Sequence, residues 1–245
     1  ELVAARPQLI VVTGTSEAVA AARATTTIPI VMIHGSYDPV ELGLAQSLAR
    51  PGRNLTGMIS TIPGFSAKAL EFLIEVLPNA KRIGVLANPA ASHFVAFMKE
   101  LEGVAAAKRI TLLPISEAKG PREIDAALAA IAAAKPQAMI VHHDALFFIQ
   151  RQRIIDFCAR ARLPAMYRFT EDVEAGGLMS YAAQYRELYA RAAIFVEKIL
   201  KGSKPGDIPI EQPTRFGLWI NLKTAEVLGL RIPQAVLLRA DRVIE

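Results

Sequence analysis

The residues most able to do chemistry in this sequence stand together at His142, His143 and Asp144, directly after the apolar run AMIV. Two imidazoles and a carboxylate are ligand types that zinc binds in proteins. Adjacent residues of a strand project to opposite faces, however, so both imidazoles cannot easily reach one ion. The pattern therefore disfavours a metal site and favours Asp144 as an acceptor for a ligand amine or hydroxyl.

Small hydroxyl-bearing residues follow the first apolar run, QLIVV, in the tetrapeptide Thr13-Gly14-Thr15-Ser16. At a strand-to-helix turn, backbone N–H groups and the helix dipole favour a bound carboxylate or phosphate. The alternative is that Thr15 or Ser16 caps its own helix, because both residue types are preferred N-caps. Gly14, Thr15 and Ser16 are thus candidate binding residues for which a local role stays open.

The run IPIVMI ends in the segment HGSYDPVE, residues 34–41. Asp38, with proline next and glutamate three residues on, is typical of a helix N-terminus, and a ligand contact is the alternative. Ser36 is available to line a cleft, and Tyr37 to stack on a ligand ring. We take Ser36, Tyr37 and Asp38 as candidates.

Polar residues also close the later apolar runs. Asn88 follows RIGVL and opens a turn before a helix, so a binding role competes with a structural one. Tyr167 ends PAMY and Ser180 lies in LMSY, and we take both as candidates. Arg168 is either a partner for an anionic ligand or a solvated charge.

Patterns typical of catalysis are missing from the sequence. There is no G-x-G-x-x-G, P-loop, G-x-S-x-G or H-E-x-x-H pattern, and no spacing indicates a nucleophile with its base. The single cysteine, Cys158, excludes an internal disulfide and a cysteine metal cluster, and its apolar neighbours indicate a core position. Several polar strand-end groups without a reactive group favour recognition over catalysis, with no cofactor.

The elements that must position these residues alternate between two kinds. Continuous apolar runs are typical of parallel strands buried on both faces, and repeated strand–helix–strand units predict a doubly wound α/β fold. In such sheets, ligands bind beyond the carboxyl ends of the strands. The predicted strands are Gln8–Val12, Ile28–Ile33, Arg82–Leu86, Ile110–Ile115, Ala138–Val141, Pro164–Tyr167, Leu178–Tyr181 and Arg215–Asn221. The predicted helices include Ser66–Leu77, Phe94–Ala107, Glu123–Ala134, Ile149–Ala161 and Tyr185–Leu200.

The composition is that of a chain with a large packed core: 52% of the 245 residues are hydrophobic and 21% are charged. Lys plus Arg is 28 and Asp plus Glu is 23, a net charge of +5 without charge runs, which does not indicate nucleic acid as a partner. No apolar stretch reaches the roughly 18 residues of a membrane span.

Four segments together resemble one family. They are IPIVMIHGSYDPVELGLAQSLARPGRNLTG at 28–57, LFFIQRQRI at 146–154, EAGGLMSY at 174–181 and INLKTAEVLGL at 220–230. In this order they are similar to the ABC-transporter substrate-binding proteins of the tryptophan/tyrosine-binding type. The resemblance spans nearly the whole chain.

This resemblance implies a type I periplasmic-binding fold, with two doubly wound parallel-sheet lobes joined by a hinge. Lobe 1 is expected to comprise residues 1–59 and 180–216, and lobe 2 residues 60–179 and 217–245. By resemblance the protein is the solute-binding component of an ABC importer, periplasmic or lipid-anchored outside the cytoplasm, and a permease and an ATPase are its partners.

The sequence departs from the family at its start, since the chain begins at Glu1 without an export signal or the opening strand–helix–strand unit. We therefore expect a fragment of a longer precursor whose lobe 1 lacks its first βαβ unit. An uncovered edge of that lobe invites pairing, so a homo-oligomer is expected.

The family pattern places the same strand-end turns at the ligand cleft between the lobes. A bound amino acid or small aromatic or aliphatic carboxylic acid would rest its carboxylate on Thr15 and Ser16 and any amine on Asp144. Tyr37, Phe147 or Tyr167 would enclose its side group. Two other hypotheses stay open: a ligand-sensing domain of a regulator or receptor, and an enzyme with Asp144 or Glu117 as base.

Overall fold

The computed structural model describes residues 2–36, 38–60, 62–91, 93–213 and 215–245. Its strands are β1 Ile10–Val12, β2 Ile30–Gly35, β3 Leu55–Ile59, β4 Arg82–Ala87, β5 Thr111–Leu112, β6 Ser116–Glu117, β7 Ala138–Val141, β8 Ala165–Tyr167, β9 Met179–Ala183, β10 Phe216–Asn221 and β11 Arg242–Ile244. Its α-helices are α1 Thr15–Ala24, α2 Phe65–Val76, α3 Phe94–Lys108, α4 Ile124–Ala134, α5 Ala145–Ile149, α6 Arg151–Ala161, α7 Thr170–Glu174, α8 Tyr185–Leu200, α9 Leu222–Val227 and α10 Gln234–Leu237.

The chain divides into two compact units, each built from two stretches of sequence. Unit 1 comprises residues 1–62 and 183–215, and unit 2 comprises residues 63–182 and 216–245. The predicted α/β architecture with doubly wound parallel sheets is confirmed.

Unit 1 contains a three-stranded parallel sheet in the order β1-β2-β3. Its strands are almost wholly apolar, and Ile30, Met32 and Leu55 are buried in its core. Helix α8 packs against β2 and β3, and helix α1 against β1 and β2. The two helices therefore cover this sheet, as continuous apolar strands require.

Unit 2 contains an eight-stranded sheet in the order β11-β10-β9-β8-β7-β4-β5, with β6 also paired to β4. Side chains of β7 alternate between two cores. Ala138 and Ile140 pack on the side of α2 and α3, whereas Met139 and Val141 pack on the side of α4 and α6. A strand buried on both faces explains why the sequence shows a continuous apolar run there.

The sequence-based boundaries are wrong in a few places. The strand predicted over 110–115 is shortened to β5, with the separate short strand β6 after it, and the helix predicted from Ile149 begins at Arg151 as α6, after the separate helix α5. Residues 38–43 form turns, so no helix follows Asp38 despite its capping pattern. No helix in the described part of the chain is long and apolar enough to span a bilayer.

A carboxylate from α3 caps the N-terminus of α2. The Glu100 side chain accepts hydrogen bonds from the Gly64 N–H at 2.8 Å and the Ser66 N–H at 2.7 Å. Both bonds satisfy donors that a helix start leaves unpaired. The carboxylate thus fixes where the chain enters α2.

We expect the substitution Glu100→Gln to lower the free energy of unfolding by about 1–2 kcal/mol, because one of two charge-assisted hydrogen bonds is lost. Urea denaturation measures this, with Glu102→Gln on the exposed face of α3 as the matched control. Equal stability of the two variants would contradict the capping role.

Candidate functional site

Two predicted site residues meet at the carboxyl edge of the unit 2 sheet, where β4 and β7 lie side by side. The Asn88 side-chain N–H donates to Asp144 Oδ2 at 3.1 Å. The other carboxylate oxygen, Oδ1, accepts from the Leu146 N–H at 2.8 Å and caps α5. Each carboxylate oxygen retains acceptor capacity, so this half-buried group can still receive a ligand amine or hydroxyl.

The two adjacent histidines directly follow β7 and contact several aromatic rings. The His142 ring lies 4.4 Å from the ring centroids of both His93 and Phe97. The His143 ring instead stacks on Phe169 at 4.7 Å. The His143 ring also lies 6.0 Å from the His93 ring centroid, so both histidines have His93 as a neighbour.

Burial keeps the His142 imidazole neutral. Desolvation, with smaller contributions from His93 and Arg168, holds the pKa of His142 well below its usual value. Its Nδ1 accepts a long hydrogen bond of 3.4 Å from the Asn88 N–H, so the proton of the neutral ring resides on Nε2. Among the described residues, Nε2 has no hydrogen-bond partner.

His93 supports this arrangement from the start of α3. Its Nε2 donates to the His143 carbonyl at 2.5 Å. Burial also lowers the pKa of His93, although the His143 carbonyl and the Asp144 charge oppose the shift. The neutral imidazoles of His93 and His142 thus lie near the Asn88–Asp144 pair.

Aromatic rings form one side of this edge. Phe148 and Phe169 are half-buried, their ring centroids lie 4.7 Å apart, and the His143 ring also contacts Phe169. The Arg151 guanidinium lies 4.6 Å from the Phe148 ring centroid. We call His143, Phe148 and Phe169 the aromatic wall. Such a surface suits a planar or apolar ligand group.

A buried carboxyl holds the turn that carries Phe169. The Asp172 Oδ2 accepts from the Phe169 N–H at 3.1 Å at the start of α7. Burial raises the pKa of Asp172 to about 7, against the opposing effect of that hydrogen bond. A cavity of about 10 Å³, the size of one water, lies beside Asp172 and Arg151.

The carboxyl edge of unit 1 joins the turns after β1 and β2. The Thr15 Oγ1 accepts from the Ser36 N–H at 2.8 Å, so this buried hydroxyl joins two turns, and the N-cap of α1 is Gly14. Ser16 is exposed beside it. The Glu17 carboxylate lies close to Gly14, so negative charge already occupies the start of α1.

His34, in β2, is a further imidazole near this edge. Its ring makes an edge contact with Tyr189 at 6.0 Å. Burial lowers its pKa, whereas its own backbone and the Glu17 charge act in the opposite direction.

The remaining candidates occupy different environments. Asp38 is exposed, and its carboxylate accepts from the Val40 N–H at 2.8 Å within a turn. Tyr37 lies outside the described residues. Ser180 is fully buried on β9, in register with Tyr167, and its Oγ has no hydrogen-bond partner in the described parts of the chain.

The position of Tyr167 does not fit the expected ligand contact. The residue is 2% exposed, its ring packs in the core on the α6 side, and its hydroxyl hydrogen-bonds with the Cys158 thiol. Desolvation raises the pKa of Tyr167 well above its usual value and that of Cys158 to about 12. Strand alternation thus turns Tyr167 inward, and Cys158 lies in the core as expected.

Sequence reasoning missed His93, Phe169 and Asp172. Phe169 could have been found by considering the residue after Arg168, the last one considered beyond β8. Asp172 could have been found because it lies three residues after the N-cap of α7. His93 gives no such signal, because only the packing of α3 brings it to the sheet edge.

Comparison with known proteins identifies the family. Residues 1–244 match the family model described as ABC transporter substrate binding protein. A tyrosine-binding protein of Clostridioides difficile is 26% identical over 231 residues, which cover 94% of this chain and 66% of that relative. This chain therefore spans about two thirds of the length of the relative.

Two solved structures have similar folds. A conserved domain protein of Vibrio cholerae is 33% identical with a TM-score of 0.90, over 99% of this chain and 80% of that one. An ABC domain of Streptococcus pneumoniae in complex with L-Trp is 28% identical with a TM-score of 0.90, over 99% and 81% of the chains. The resemblance noted in the sequence is confirmed: this chain belongs to the ABC transporter substrate-binding protein family.

Proposed function

We propose that this chain is the solute-binding component of an ABC importer and that its ligand is a small amino acid-like molecule. The observation that carries the proposal is the Asn88–Asp144 pair beside the aromatic wall. A tyrosine-binding relative and a relative in complex with L-Trp support an amino acid, with a small aromatic or aliphatic carboxylic acid as the wider class.

In this proposal the groups at the carboxyl edge of the unit 2 sheet contact the ligand. Asp144 receives the amine, Asn88 orients Asp144, and the aromatic wall contacts the side group. Within unit 1, the Thr15 hydroxyl fixes the turn that carries Ser36, whose N–H donates to it.

The proposed role is binding without catalysis. Both oxygens of Asp144 accept hydrogen bonds from the protein, which suits a fixed charge that attracts an amine. The family relatives are substrate-binding proteins, which supports the same role.

The partners and the compartment follow from the family as proposals. We infer that a permease and an ATPase receive the solute and that the protein works outside the cytoplasm, in the periplasm or anchored to lipid. A homo-oligomer formed at the β1 edge of unit 1 is also proposed, because β1 is an end strand of the described three-stranded sheet.

A thermal-shift screen tests the proposed function. The panel comprises the twenty L-amino acids, the D-enantiomers of the aromatic ones, and their analogues without the amine. A ligand at 100 times its dissociation constant stabilises the native state by about 2.7 kcal/mol. We expect one L-amino acid to shift melting and its amine-free analogue to shift it much less. A panel without any shift would contradict the proposal.

A further inference from the structure

The chain passes between the two units at three places, and an aromatic residue lies on the unit 2 side of each. The passages fall between residues 62 and 63, 182 and 183, and 215 and 216. Phe65 follows the first passage, Tyr181 precedes the second, and Phe216 follows the third. Each passage therefore has its own ring within three residues.

These three rings contact one another inside unit 2. The Phe65 ring centroid lies 5.3 Å from that of Tyr181 and 4.8 Å from that of Phe216, and the last two lie 5.8 Å apart. Tilted rings at these separations attract each other beyond the area they bury. We call Phe65, Tyr181 and Phe216 the aromatic joint.

Regular structure holds each ring of the aromatic joint. Phe65 is the first residue of α2, whose N-terminus the Glu100 carboxylate caps on both sides of that residue. Tyr181 lies in β9 and Phe216 begins β10, and these two strands are neighbours in the sheet. A change in one ring position therefore acts on elements that carry the other two.

Arg168 connects the aromatic joint to the candidate site. Its guanidinium lies 3.9 Å from the Phe65 ring centroid, and the residue is 2% exposed. The next residue, Phe169, belongs to the aromatic wall. A planar guanidinium stacks on a ring face in a way that an ammonium group does not reproduce.

We propose that the aromatic joint is a common anchor for all three passages of the chain and that Arg168 is a positioning residue that ties the anchor to the aromatic wall. Loss of one ring is expected to speed hydrogen exchange at all three passages, and not only at the passage beside that ring. The anchor does not require a ligand, so it stands or falls independently of the solute-binding proposal.

Hydrogen–deuterium exchange of the ligand-free chain tests the anchor with Phe216→Leu. We expect exchange at least fivefold faster in segments 62–66 and 179–183 as well as in 216–221, with 83–86 and 138–141 unchanged. The matched control is Phe157→Leu, since Phe157 is also a half-buried phenylalanine of unit 2 but lies on α6. Phe216→Tyr retains the ring and should exchange as the wild type does.

Three results would overturn the anchor: faster exchange confined to 216–221, an equal change in the Phe157→Leu variant, or a uniform rise that includes 83–86 and 138–141. Arg168→Lys tests the connection. It should accelerate exchange in 62–66 and around residue 169, whereas Arg242→Lys, which removes a guanidinium from the Trp219 ring, should affect neither segment. Unchanged exchange in Arg168→Lys would remove Arg168 from the proposal.

Discussion

The substitution Asp172→Asn is expected to stabilise unit 2 by about 2–4 kcal/mol at pH 8 and to have little effect at pH 4. Burial raises the pKa of Asp172 from 3.8 to about 7, so the folded protein holds this proton more tightly than the unfolded chain does. A shift of this size corresponds to about 4 kcal/mol at most.

The direction of the pH dependence follows from that shift. A buried carboxyl with a raised pKa makes its largest contribution to stability below about pH 4, where both states are protonated. The contribution is lost as the pH rises from about 4 to about 7, and the full cost remains above pH 7. Asparagine retains an oxygen that accepts from the Phe169 N–H without a charge to desolvate.

The charged neighbours of Asp172 partly offset each other, because Arg151 favours the ionised carboxyl and Glu171 disfavours it. Urea denaturation from pH 4 to pH 8 gives the difference between variant and wild type at each pH. Glu174→Gln, on the same helix but exposed, is the control. A constant difference across this range would contradict the account.

Replacement of Gly57 by alanine should destabilise unit 1 by about 3 kcal/mol or more. Gly57 has a φ of 129°, and a Cβ there would lie 2.0 Å from the Met32 carbonyl oxygen of the paired strand. β3 has little room to retreat, because the Gly57 carbonyl accepts from the Glu211 N–H at 2.9 Å and Thr56 donates to the Ile208 carbonyl at 2.8 Å.

Gly43→Ala separates backbone strain from collision. Gly43 also has a positive φ, 68°, but no atom lies within 4 Å of the added Cβ. We expect a loss of only about 1–2 kcal/mol from the left-handed conformation. Thermal denaturation followed by circular dichroism compares the two variants, and hydrogen exchange of β2 shows whether the loss lies in unit 1. Similar losses would argue against the collision.

The sequence was sufficient for the architecture because continuous apolar runs have few structural solutions. The run AMIV became β7, buried on both faces, and the strand-end rule placed Asn88 beside Asp144. The same rule placed Thr15 beside Ser36. Parallel strands that pair side by side end at the same edge of the sheet, so the residues that follow them become neighbours.

Long-range packing determines the side-chain directions and element boundaries that the sequence alone does not predict. Tyr167 is the last residue of β8, and Asn88 is the first residue after β4. The Tyr167 side chain nevertheless packs toward α6 and Cys158. Asp38 and the residues after it match the pattern of a helix start. In the structure, the Asp38 carboxylate instead caps a turn, and no helix follows it. β3 was not predicted as a strand, since Thr56 and Gly57 interrupt its apolar pattern.

The most direct test of the solute-binding account is a calorimetric titration with the amino acid that gives the largest thermal shift, repeated on Asp144→Asn. Asparagine has one acceptor oxygen, which caps α5, and it loses the bond from Asn88, so circular dichroism checks that this uncharged variant is folded. The account predicts affinity at least tenfold weaker for Asp144→Asn, with wild-type affinity in the exposed control Asp207→Asn. Unchanged affinity in a folded Asp144→Asn variant would contradict it.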